Sequence, residues 1–124
     1  METVAIFGSS GGLGSGIAET LASHYRLMLG YHSNLDTVEA LRERIVSAGG
    51  SAEAIVVDVR DPVSVAEFLD QASETSNRLR GVVNAVGPAI PLRPLIEVSP
   101  TEFERIMESD VLGSFNVLTE SARR

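Results

Sequence analysis

The sequence predicts an α/β fold, a parallel sheet with helices packed on both faces. Three observations carry that expectation. Short apolar runs alternate with longer amphipathic stretches, in the order β-α-β-α-β-α-β-loop-α. The short runs are almost continuously apolar, as strands covered on both faces should be. A loop dense in glycine, "GSSGGLGSG" from Gly8 to Gly16, follows the first run and opens directly into a helical pattern.

Val4 to Phe7 reads as a buried strand. Leu13 to His24 follows as a helix, with Leu13, Ile17 and Leu21 at four-residue spacing and Ala18 and Ala22 beside them. "RLMLGY", Arg26 to Tyr31, is the second strand. "HSNLD" is a turn in which Ser33 or Asn34 caps the next helix, and that helix presents Leu41 and Ile45 on one face until Gly49-Gly50 ends it. "AEAIVVDV" is the third strand. Asp61-Pro62 starts the third helix, with Val65, Phe68 and Leu69 facing inward. "LRGVVNAVG" is the fourth strand, and the proline-rich "PAIPLRPLIEV" is a loop. "SPTE" then gives a helix start, with Ser99 as cap, Pro100 at the first position and Glu102 placed for a capping box. The last helix runs towards Arg124, and Phe103, Ile106, Met107, Val111, Ser114 and Leu118 make much of one face.

At 124 residues the chain is expected to be one domain, residues 1–124. A net charge of -7 argues against nucleic acid or an anionic membrane as the main partner. There is no cysteine, so disulfides and thiolate metal sites are excluded, and no spacing of the two histidines suggests a metal site. No apolar run is long enough to span a membrane and no signal peptide is visible, so a cytoplasmic location is expected.

The glycine loop joins the first strand to the first helix. In a doubly wound sheet, that is where a dinucleotide pyrophosphate rests over the helix N-terminus. Glycines allow close approach and positive φ, and the helix dipole favours negative charge. The spacing here is Gly8-x-x-x-Gly12-x-Gly14, with Ile17 where the commonest dinucleotide fingerprint has its third glycine.

That spacing resembles the short-chain dehydrogenase/reductase family, and three later stretches agree with it in order. Asp58-Val59 ends the third strand, Asn84-Ala85-Val86-Gly87 ends the fourth, and "FERIMESDVLGSFN" is similar to the family's long helix. In style the match is nearest to the 3-oxoacyl-carrier-protein reductase type. The resemblance implies a Rossmann-type sheet of order 3-2-1-4, incomplete because the family's later strands lie beyond this match. It implies that Gly8, Ser10, Gly12, Leu13 and Gly14 hold the pyrophosphate and adjacent ribose. Tyr31, His32 and Ser33 would face the adenosine ribose, Asp58 and Val59 the adenine, and Asn84, Ala85 and Gly87 the nicotinamide side. Asp58 also reads as a strand-end turn residue, and Asn84 as a group that satisfies buried backbone.

NAD users place a carboxylate at the end of the second strand to bind the ribose hydroxyls. Tyr31, His32, Ser33 and Asn34 stand there instead, which favours NADP(H) over NAD(H). Against this, Gly11 occupies the place where NADP users of the family often carry a basic residue.

The family's chemistry uses a serine, then Tyr-x-x-x-Lys, after the long helix. Here Tyr25 and Tyr31 are followed four residues later by Leu29 and Leu35, and all ten basic residues are Arg. Asp110 stands three residues before Gly113, where the family has an Asn in a proton relay, so that role transfers poorly. The expectation is therefore an NAD(P)-dependent oxidoreductase acting on a carbonyl or alcohol, represented by its cofactor-binding half and inactive alone. Non-catalytic nucleotide-binding modules and halves of split enzymes share these features. The fourth strand would be an open edge, and with the last helix it would support homo-oligomers.

Overall fold

The computed structural model describes residues 1–74, 78–87 and 92–124. Four strands, β1 (Thr3–Phe7), β2 (Arg26–Tyr31), β3 (Ala52–Val56) and β4 (Leu79–Asn84), form one parallel sheet in the order β3-β2-β1-β4. The helices are α1 (Gly12–Leu21), α2 (Leu35–Ser47), α3 (Pro62–Ala72), α4 (Pro100–Ile106) and α5 (Gly113–Ala122).

Alternation along β1 sorts its side chains between two cores. Val4 and Ile6 join Ala18, Leu27, Leu29, Val38, Leu41 and Ile45 on the α1/α2 face. Ala5 and Phe7 join Met28, Val65, Phe68, Leu69 and Val117 on the α3/α5 face. The Phe7 and Phe68 rings lie 4.8 Å apart and tilted by 60°. Burying each such ring contributes about 2–3 kcal/mol. All strands are parallel, so their C-terminal ends lie together at one edge of the sheet, with β1 central beside β2 and β4.

Three of the expected caps form as read. Asp61 accepts from the Val63 amide ahead of α3, Ser99 and Glu102 make a reciprocal capping box at α4, and Gly49 takes φ +91° after α2. One does not: Asn34 sits at the α2 N-cap without a side-chain cap bond. The third and fourth strands are shorter than expected, so Val57 to Val59 and Ala85 to Gly87 leave the sheet as loops. Residues 88–91 of the proline-rich loop lie outside the described residues, and its later part holds a short 3-10 turn, Leu95–Glu97.

The last helix departs most from expectation. Between α4 and α5 the chain makes a π segment, Met107–Leu112. The extra residue in its turn shifts the phase of the helix, as π turns do. α5 accordingly buries Gly113, Asn116, Val117 and Glu120, while Phe103, Val111, Phe115 and Leu118 are exposed. A Cβ on Gly113 would lie 2.7 Å from Val59 Cγ2, so the helix approaches the loop after β3 as closely as glycine permits. No helix among the described residues is long and apolar enough to cross a membrane.

Candidate functional site

A cavity of about 630 Å³ opens over the C-terminal ends of the strands. Its size is that of a small-molecule or cofactor site. The loop after each strand supplies part of the lining: Gly8, Ser10 and Gly11 after β1, Tyr31 to Asn34 after β2, Val57 to Arg60 after β3, and Ala85 to Gly87 after β4. Glu102, Arg105, Ile106 and Ser109 form a wall from α4 and the π segment.

The glycine loop is shaped by two constraints of different origin. Gly8 takes φ +80°, and a Cβ there would meet the Ala85 and Val86 backbone at 2.7 Å. A Cβ on Gly14 would lie 2.2 Å from the Gly8 carbonyl oxygen. Those two glycines are required by packing. Gly12 is not: a Cβ there would meet nothing within 4 Å. Gly11 caps α1 without a side-chain bond, and among the described residues the Gly12, Leu13 and Gly14 amides have no acceptor. An uncapped N-terminus with open space at its first glycine fits an anionic group such as a pyrophosphate. Ser9 is buried and its hydroxyl contacts the Ile6 and Gly30 carbonyls at 3.0 and 2.9 Å, which ties this loop to β2.

Of the residues singled out in the sequence, Gly8, Ser10, Tyr31, His32, Ser33, Asp58, Val59, Ala85 and Gly87 line the cavity. Gly12, Leu13 and Gly14 lie beside it on the first turn of α1. Leu13 is 72 % exposed, so it does not share the inward face of Ala18 as its spacing suggested. The Asn84 amide donates to Ser114 Oγ at 3.0 Å and its Oδ1 accepts from the Val86 amide at 3.3 Å, so it braces the loop rather than lining the cavity. Asp110 is also off the lining, and its carboxylate accepts from Ser109 Oγ at 3.2 Å.

Arg60 is the functional candidate that the sequence reading passed over. Its Nε and Nη2 donate to Asp58 Oδ1 and Oδ2 at 3.0 Å each, and its backbone amide donates to Oδ1 at 3.0 Å. These hydrogen bonds hold the Asp58 carboxyl below its ordinary range, although burial opposes them. The same contacts raise Arg60 further. His32 Nε2 lies 3.9 Å from Asp58 Oδ2, and Arg60 Nη1 lies 4.0 Å from Glu108 Oε2. A signal existed in the sequence: a cation two residues after a strand-end Asp is positioned to fold back on it. Among the described residues, no group of three His, Cys, Asp or Glu is arranged to hold a metal ion.

The family model for short chain dehydrogenase matches residues 2–124. The chain belongs to that family. It is 29 % identical over 123 residues to versicolorin reductase stcU of Emericella nidulans, covering 98 % of this chain and 46 % of that protein. It is 30 % identical over 116 residues to oxidoreductase UcpA of Escherichia coli, covering 94 % and 43 %. Among solved structures, a dehydrogenase/reductase from Sinorhizobium meliloti superposes with a TM-score of 0.89 at 27 % identity, covering 99 % of this chain and 49 % of that one. A short-chain dehydrogenase/reductase from Serratia marcescens gives 0.86 at 27 % identity, covering 98 % and 50 %. The chain thus spans about half the length of the relatives it matches.

Proposed function

We propose that residues 1–124 form the nicotinamide-dinucleotide-binding portion of an oxidoreductase that moves hydride between the cofactor and a carbonyl or alcohol carbon. The observation that carries this reading is the convergence of all four strand-end loops on one cavity beside the uncapped N-terminus of α1. Gly8, Ser10, Gly12, Leu13 and Gly14 hold the pyrophosphate and its neighbouring ribose. Tyr31, His32 and Ser33 face the adenosine ribose, Asp58 and Val59 the adenine, and Ala85 and Gly87 the nicotinamide end, with Asn84 bracing that loop. When bound, the nicotinamide ring supplies or accepts the hydride, and this chain's own residues orient it.

The absence of a carboxylate at the end of β2 supports NADP(H) over NAD(H). The class of substrate to try first is a 3-oxoacyl thioester, after the reductase type that the motifs resemble. Asp110 is assigned no relay role: it stands outside the cavity lining, next to Ser109 in the wall, and a carboxylate there would titrate, as the family's Asn does not.

A second reading is favoured by one specific observation. No Tyr-x-x-x-Lys occurs in the chain and it has no lysine, so catalysis needs a tyrosine and a lysine from another segment or another chain. On that reading the chain alone binds dinucleotide without turnover. The apolar face of α4 and α5, together with the edge of β4 that no strand among the described residues pairs with, supports association with such a segment or with a second copy.

Calorimetric titration with NADPH and with NADH tests the binding claim. Saturable binding of at least one is expected, and no heat from either at millimolar concentration would overturn it.

A further inference from the structure

We infer that Arg60 is the residue that distinguishes NADP(H) from NAD(H), by receiving the 2′-phosphate on the free end of its guanidinium. The inference rests on the dinucleotide reading above and adds a residue to it. A guanidinium has five N–H donors in a fixed planar fork. Two of them, one on Nε and one on Nη2, lie side-on against the Asp58 carboxylate. The other three, on Nη1 and the far side of Nη2, make no hydrogen bond among the described residues. Nη1 is also ion-paired with Glu108 Oε2 at 4.0 Å, longer than a hydrogen bond, so a phosphate arriving at this end replaces Glu108 there. The remaining donors form the end-on pair that matches a phosphate bidentately.

Position agrees with chemistry. Arg60 lines the cavity with Tyr31, His32 and Ser33 from the end of β2, where the ribose 2′ substituent belongs. Arg60 Nη2 and His32 Nε2 both approach the same oxygen, Asp58 Oδ2, at 3.0 and 3.9 Å. Groups gathered on one oxygen are near enough for a single phosphate to bridge them. Asp58 therefore orients the cation in advance, so little side-chain freedom is lost when an anion arrives. Arg105 lines the same cavity from α4, without a carboxylate among the described residues held side-on against it as Asp58 is against Arg60. Gly11 leaves the glycine loop without a basic side chain, and Arg60 brings one from the loop after β3, which lies beside the loop after β2.

The test is calorimetric titration of NADPH and NADH into the wild-type chain and into Arg60→Ala, Arg60→Lys and Arg80→Ala. Arg80 pairs with Glu2 on β4, outside the cavity lining, and controls for the loss of one positive charge. Arg60→Ala should weaken NADPH about ten- to a hundredfold, the scale of charged hydrogen bonds, and change NADH less than about threefold. Arg60→Lys should restore part of the loss, as a point charge without a fork, and Arg80→Ala should change neither ligand. Circular dichroism on each variant establishes that it is folded, and an unfolded Arg60→Ala passes the decision to Arg60→Lys, which should still lose NADPH selectively. Equal losses for both ligands, or no loss for NADPH, would overturn the assignment of Arg60 and leave the dinucleotide site standing. Failure of both ligands to bind the wild type would overturn the dinucleotide site and the Arg60 assignment together.

Discussion

Asn116 Nδ2 donates to the backbone carbonyl of Val59 at 2.9 Å, joining α5 to the loop after β3 across 57 residues of sequence. Asn116 is buried, so the bond is made away from water. Removing it leaves the Val59 carbonyl without that donor, at a cost of about 1–3 kcal/mol. Asn116→Ala should lower the urea midpoint accordingly. It should also weaken dinucleotide binding, because Val59 and Arg60 lose their backing. An unchanged midpoint would show that the bond is incidental.

The pairing of Asp58 with Arg60 has a definite sign with pH. The folded state holds the Asp58 carboxyl below its ordinary value, first through the Arg60 side-chain hydrogen bonds. A depressed carboxyl contributes stability that is full above the unfolded-state value and is lost as pH falls through the folded one. The stability gap between wild type and Asp58→Asn should therefore be present at neutral pH and close on acidification below the ordinary carboxylate range. Asp58 is one-third exposed, so the gap is modest, about 1 kcal/mol or less. Urea melts of both proteins at neutral and acid pH measure it, and a gap that widens on acidification contradicts the pairing.

Gly12 and Gly14 should separate binding from folding. Gly14→Ala places a methyl 2.2 Å from the Gly8 carbonyl oxygen, so the loop must move and the melting temperature should fall by several degrees. Gly12→Ala meets open space at the start of α1. It should leave the melting temperature unchanged or raise it slightly, and weaken dinucleotide binding. Equal thermal effects from the two substitutions would mean that Gly12 also serves packing.

Phe103, Val111, Phe115 and Leu118 leave a band of exposed apolar surface along the last helix, with Leu118 66 % exposed. Bands of this kind mark interaction surfaces. Sedimentation of the chain should show concentration-dependent association, and Phe115→Asp with Leu118→Asp should shift it towards monomer. A wild-type chain that stays monomeric at high concentration rules this surface out as a self-association face.

The order of elements, the Asp61 and Ser99 caps and the gathering of the strand-end loops around one cavity were legible because each depends on local patterning. Apolar runs, capping residues and glycine spacing are properties of a few adjacent residues. What could not be read depended on contacts between distant segments or on helix phase. Leu13 belongs to the first turn of α1, ahead of the part that packs on the sheet, so its spacing with Ile17 and Leu21 says nothing about burial. Asn84 reads both as lining the nicotinamide side and as satisfying backbone; its bond from the Val86 amide agrees with the second, whereas the partner of its own amide, Ser114 of α5, is 30 residues away and could not be read. The apolar stripe of the last helix assumed one period throughout, and the π segment breaks that period between Ile106 and Gly113.

That break makes one continuous helix into two separately adjustable parts. Glu102, Arg105 and Ile106 before it, with Ser109 inside it, face the cavity, whereas Asn116, Val117 and Glu120 after it face the protein's interior. Substitutions upstream can reshape the ligand wall without disturbing the interior packing, and substitutions downstream can do the reverse. Deleting one residue within the segment would remove that freedom, because an ordinary helix would turn one part by about 100° relative to the other and sacrifice either the wall or the core.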